Sequence, residues 1–222
     1  MLIPRDHIVV APSEATLAAG AGSLAIVKAL APEPGGDAAF WGRAGGKDIL
    51  IGVERKTGPN LVNSWWSGEL ADQLSRMGRA YGLVILLIAG WLHASPGRHI
   101  VCEDGAYFEH SFDALWNDLQ TWQDAGLRVQ QCGLGDEGRR LWSLYHYYQK
   151  EEHKATRQMR MRVGKETLLL RTPGLGPKRT ESLLRRLCAR GGAKKDIREV
   201  LGEGKVFKAF MRILKEGSNG CN

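Results

Sequence analysis

The 222-residue sequence predicts an α/β domain followed by a small all-α module, on three observations. Over residues 1–150, short branched apolar runs alternate with stretches of helical periodicity, the pattern of a sheet covered by helices. Residues 1–142 hold 12 Lys/Arg against 16 Asp/Glu and residues 143–222 hold 19 against 8, so a net charge of −4 gives way to +11. Residues 151–164 lose apolar periodicity and become charged, as a linker would. The predicted organisation is therefore a first domain over 1–150, a linker over 151–164 and a basic module over 165–222. A basic module beside a mildly acidic one is the footprint of a polyanion-binding domain.

Composition narrows the classes. An apolar content of 43% is enough for a real core. No cationic start with an apolar stretch and cleavage site marks export. The longest apolar run, residues 82–92, is too short for a membrane-spanning helix. Cys102, Cys132, Cys188 and Cys221 form no CxxC pair, which argues against a zinc ribbon or a disulfide framework. An intracellular protein with no membrane association is expected.

In chain order, Ile8-Val9-Val10 reads as a strand and 14–30 as a helix. Residues 36–56 read as two strands joined by Gly45-Gly46, since two glycines readily supply the positive φ angles of a two-residue hairpin. Residues 82–88, bounded by glycine and rich in branched side chains, read as a strand buried on both faces. Phe112, Leu115, Trp116, Leu119 and Trp122 recur at helical spacing behind a Ser111 cap. A strand near 128–132 and a helix over 136–150 complete the domain.

The hairpin carries the chemistry. With the turn at Gly45-Gly46, Arg43 faces Asp48, Trp41 faces Leu50, Phe40 faces Ile51, and Asp37 faces Glu54. This register puts two carboxylates on one face with Cβ atoms roughly 4.5–5.5 Å apart, a spacing suited to a hard divalent cation. Lys56 shares that face by alternation, while the Arg55 side chain turns away and leaves its main-chain carbonyl as a further oxygen ligand. Mg²⁺ or Mn²⁺ held by one or two carboxylates and waters could activate water against a phosphate, with Lys56 holding the nucleophile or neutralising developing charge. The plain alternative is a solvent-facing charged strand end.

Gly36-Asp37 followed by Val53-Glu54-Arg55-Lys56 resembles the GD…ERK signature of the XPF family of structure-specific endonucleases. The segment 69–74, with Gln73, and the apolar run 83–88 resemble the helix and central strand that follow it in that family. The resemblance implies a restriction-endonuclease-like fold, a mixed central sheet flanked by helices. It implies Asp37 and Glu54 as metal ligands, Lys56 as the catalytic lysine and Arg55 as a signature arginine. The chain departs from the pattern at Ala11, Asn60 and Ala89, where relatives commonly carry acids.

In the basic module, residues 168–187 read as helix, glycine turn, helix. Gly174 and Gly176 bracket Leu175, an arrangement that lets backbone N–H groups approach a phosphate, with Lys178 and Arg179 adding charge. A second copy, Gly202-Glu203-Gly204-Lys205, precedes a helix with an apolar face of Val206, Phe207, Phe210, Met211 and Leu214. Glu203 places a negative charge at its tip. The pair resembles the tandem helix-hairpin-helix domain of the XPF family, which implies contact with branched or nicked DNA and a homodimer formed through this module.

The six histidines show no metal spacing. Trp65 and Trp66 read as core and rim, and Tyr145, Tyr147 and Tyr148 as closing the first domain. No phosphate-binding loop for a nucleotide cofactor occurs. The expected activity is metal-dependent phosphodiester hydrolysis in DNA near a flap, fork or four-way junction, with roles in repair or recombination. The alternatives are a non-catalytic DNA-binding subunit and a Holliday junction resolvase or nickase of the same broad fold.

Overall fold

A computed structural model describes residues 3–30 and 35–150. The expected linker and helix-hairpin-helix module, with Gly174, Gly176, Lys178, Arg179, Gly202, Gly204 and Lys205, lie outside the described residues.

The described chain is a six-stranded mixed sheet with helices on both faces, as expected. Its strands are β1 (Ile8–Val10), β2 (Ala25–Val27), β3 (Ala38–Ala44), β4 (Lys47–Thr57), β5 (Leu83–Ala89) and, after a separate small sheet, β9 (Arg128–Cys132). Their order is β2-β1-β3-β4-β5-β9. β1 and β2 are parallel, β3 is antiparallel to both its neighbours, and β4, β5 and β9 run parallel. All seven residues of β5 are buried, which explains the uninterrupted apolar run at the sheet centre.

The hairpin has the register its turn dictates. Arg43 pairs with Asp48, Trp41 with Leu50 and Phe40 with Ile51, through to Ala38 with Val53. Gly45 and Gly46 take φ angles of 60° and 72°, values that glycine adopts without the Cβ clash.

Helix α1 (Ala15–Ala21) and helix α5 (Glu137–Tyr148) cover one face. Leu17, Ala21, Leu141, Leu144, Tyr145 and Tyr148 pack there on Phe40, Ile51, Val53, Ile85 and Leu87. Helices α2 (Gly58–Ser67), α3 (Glu69–Ala80) and α4 (Phe112–Asp124) cover the other, with Leu61, Leu70, Leu74, Met77, Leu115 and Leu119 on Val84, Leu86 and Ile88. Trp65 is buried and donates from Nε1 to Asp118 at 2.8 Å. Trp66 is 58% exposed and stacks on His110.

Two expectations need correction. The stretch 14–30 is no single helix: α1 ends at Ala21, a 3₁₀ turn follows at Gly22–Leu24, and β2 begins at Ala25. Residues 92–111 form a three-stranded antiparallel sheet, β6 (Leu92–Ala94), β7 (His99–Cys102) and β8 (Tyr107–Ser111), for which no strands were expected. The cap at Ser111 is present, its hydroxyl accepting from the Ala114 N–H at 3.3 Å. Ser111→Ala should cost about 1 kcal/mol of unfolding free energy in urea melts. No helix among the described residues is long and apolar enough to cross a membrane.

Candidate metal centre

The site forms where the β3–β4 ladder stops. Regular pairing ends at Ala38 with Val53. One residue further, the Asp37 N–H donates to the Val53 carbonyl at 2.8 Å. Asp37 is therefore not a ladder partner of Glu54, as the register alone would have it. Instead its carboxylate replaces a strand neighbour: Oδ2 accepts the Arg55 main-chain N–H at 2.7 Å.

Alternation fixes which side chains meet. On β3, Ala38 belongs to the α1–α5 face and Ala39 to the α2–α3–α4 face, which carries Asp37 to the latter. On β4, Ile51 and Val53 face α1 and α5, so Glu54 and Lys56 share the Asp37 face and Arg55 projects from the opposite one. The Lys56–Glu54 and Arg55–Glu137 contacts agree with those sides for the three β4 residues, whereas Asp37 sits in a bend ahead of β3.

Glu54 is 1% exposed. Its Oε1 receives the Lys56 Nζ at 2.7 Å, and its Oε2 is buried with no hydrogen-bond partner. Burial pushes its pKa up to about 7, and the Asp37 charge adds to this, against the opposing pull of Lys56 and the Gln73 side chain. Asp37 is raised as well, chiefly by burial and against the Arg55 N–H, Lys56 and Arg55. Two acids that resist ionisation beside each other, despite the Lys56 ammonium on one of them, would be relieved by a further positive charge.

Those residues fit a divalent cation. The Asp37 and Glu54 carboxylates would hold it, and in an extended strand the Arg55 carbonyl points to the same side as its N–H, toward Asp37 and away from β5. Among the described residues no three His, Cys, Asp or Glu side chains gather as a ligand set. The remaining positions would fall to main-chain oxygen and water, which Mg²⁺ accepts.

The positions of departure are Ala11, Asn60 and Ala89. The Ala11 N–H donates to the Asp37 carbonyl at 2.8 Å. Asn60 is exposed in the first turn of α2. Ala89 lines a cavity of about 240 Å³ at the carboxyl ends of β4 and β5, together with Thr57, Gly58 and Glu103. None of the three adds a carboxylate.

Three residues that sequence reasoning passed over shape the site. Glu14, ahead of α1, lies 3.5 Å by Oε2 from Arg55 Nη1. Its pKa is raised, first by burial and then by Asp37. Glu137 opens α5 and accepts from Arg55. Tyr81 covers the Glu54 side: its ring fills the space above Gly52, and its hydroxyl donates to the Gly35 carbonyl at 2.9 Å. Gly35 leads into Gly36, whose φ of 107° turns the chain into Asp37. Burial and the Glu54 charge push the Tyr81 phenol up to about 12. Tyr81→Phe removes the tether of the Gly35–Gly36 turn and should cost about 1 kcal/mol, read as a lower melting temperature.

No protein-family model and no curated protein matches the chain. Among solved structures it is similar to XPF from Aeropyrum pernix, at 23% sequence identity and a TM-score of 0.47, covering 95% of this chain and 98% of that one. It is also similar to the same protein in complex with DNA, at 22% identity and a TM-score of 0.47, covering 95% and 97%.

Proposed function

We propose that the chain is a metal-dependent endonuclease of the XPF type, hydrolysing phosphodiester bonds in DNA near a branch point such as a flap, fork or four-way junction. The observation that carries this reading is the Glu54 carboxylate, buried beside Asp37 with one oxygen on Lys56 and the other unpartnered. Burying two acids beside each other costs stability that a bound cation would offset.

When bound, a divalent cation offsets charge on the scissile phosphate and lowers the pKa of water. Asp37 and Glu54 would hold it. The Arg55 N–H keeps the Asp37 carboxylate oriented. Lys56, whose Nζ lies 2.7 Å from Glu54 Oε1, would stand beside the scissile phosphate and stabilise the added negative charge of the transition state. The basic stretch 165–222, with Gly174, Gly176, Lys178 and Arg179 as its principal phosphate contacts, supplies affinity for the DNA backbone. A homodimer through that stretch and Mg²⁺ or Mn²⁺ as the cation belong to the same proposal.

The test offers labelled flap, splayed-arm, nicked and four-way-junction DNA with Mg²⁺ or Mn²⁺ to the native chain and to Glu54→Gln. Cutting by the native chain and retained binding with lost cutting in the variant support the proposal. Binding without cutting by both, under either metal, would replace it with a DNA-binding subunit.

A further inference from the structure

On the face of β4 away from Asp37, Glu54 and Lys56, the Arg55 guanidinium is gripped rather than free. Its Nε and Nη2 donate to Glu137 Oε1 at 3.2 and 2.6 Å, and Nη1 stands 3.5 Å from Glu14 Oε2. Glu137 is 1% exposed and 82 residues away in sequence. Although burial pushes its pKa up, the Arg55 hydrogen bond, its own N–H, the Arg55 charge and the Gly135 N–H outweigh that and leave it below the ordinary value.

The cost of this arrangement is plain, since it takes a carboxylate 1% exposed and its guanidinium partner out of water. A buried ion pair adds little net stability over apolar residues of the same shape, so stability alone does not account for it. What it does is fix a main chain that has lost a neighbour. Beyond Val53 no β3 residue pairs with β4, yet the Arg55 N–H must meet Asp37 Oδ2 at 2.7 Å. The β5 ladder, with Arg55 opposite Leu87, holds one edge. The side-chain clamp stops the strand from rolling about that edge.

We infer that Glu137 is a positioning residue for the metal centre: by anchoring the Arg55 side chain to α5, it sets the direction of the Arg55 N–H and carbonyl at the Asp37–Glu54 face. The inference rests on the proposed reading of that face as a cation site.

The test uses the full chain without DNA and titrates Mn²⁺ by electron paramagnetic resonance, alongside flap cleavage and thermal melts. Glu137→Gln keeps an acceptor of the same shape and loses the charge. It should weaken Mn²⁺ binding about tenfold, the loss typical of a group that orients a ligand, and lower kcat with KM unchanged. The double variant Arg55→Met with Glu137→Met replaces both charges with apolar stems, which restores stability but not the clamp. It should melt closer to the wild type than a variant that removes only one partner and still bind Mn²⁺ about tenfold more weakly. Wild-type Mn²⁺ affinity in the double variant would reduce Glu137 to a structural role and overturn the inference. A wild-type chain that binds Mn²⁺ nowhere and cuts no DNA would overturn the reading of the face and this inference with it.

Discussion

Glu54→Gln is expected to lower cleavage by roughly 10²–10³-fold while making the metal-free protein more stable at neutral pH. Burial, with Asp37 beside it, raises the Glu54 carboxyl from its ordinary 4.5 to about 7, against Lys56 and Gln73. Between those two pH values the folded state keeps a proton that the unfolded state has released. Stability therefore falls as pH rises through the window, and the full contribution is present only below it. The difference is on the order of 3 kcal/mol, or about 6–12 °C in melting temperature for a domain of this size. Glutamine is neutral throughout and removes the penalty. Melts in EDTA at pH 5 and pH 8 should thus diverge for the wild type and differ less for the variant. Added Mg²⁺ should raise the wild-type melting temperature at pH 8 by mass action and leave the variant unmoved. Parallel pH profiles for the two proteins would show that Glu54 is ionised in the fold without help.

Gly138→Ala should destabilise the first domain by about 3 kcal/mol, because the obstruction is main chain and cannot rotate away. A Cβ on Gly138 would stand 2.5 Å from the Gly20 Cα and 2.6 Å from the Thr16 carbonyl oxygen; one on Gly20 would stand 2.3 Å from the Gly138 Cα. Helices α1 and α5 touch through these two glycines, and α5 must move outward to admit even a methyl group. That movement draws Glu137, the preceding residue, away from Arg55. The melting temperature should fall by about 6–12 °C, and flap cleavage should drop in the fraction that remains folded. An alanine variant that melts with the wild type would mean that the two helices do not meet as described.

The hairpin was legible because several local signals agree on one register: a glycine turn, an opposite-charge pair at Arg43 and Asp48, and apolar pairs inside it. The buried strand β5 was legible from its uninterrupted apolar run. What stayed hidden depends on contacts between residues far apart in sequence. Glu14 and Glu137 look like ordinary acids near helix starts, where charge complements the helix dipole, and nothing local shows that both reach Arg55. Tyr81 gives no sign that its hydroxyl reaches Gly35. The three-residue strands β2 and β6 fall below the length at which alternation can be read, and the apolar residues of 24–30 extend a helical pattern past Gly22, where α1 is capped. Ladder termination at Val53 was invisible for a related reason: pairing rules state which residues oppose each other, and not where opposition stops.

The margins of the six-stranded sheet have a consequence for handling the protein at concentration. An open strand edge is a template on which a second chain can add by main-chain hydrogen bonds, the first step toward fibrils. Here one margin is β2, only three residues long, and the other is β9, with Arg128, Gln130 and Gln131 along its five residues. Between them lies the long apolar interior of β4 and β5, capped on each flank by a strand too short or too polar to recruit another, a defence against edge-to-edge self-assembly built from the least conspicuous segments of the domain.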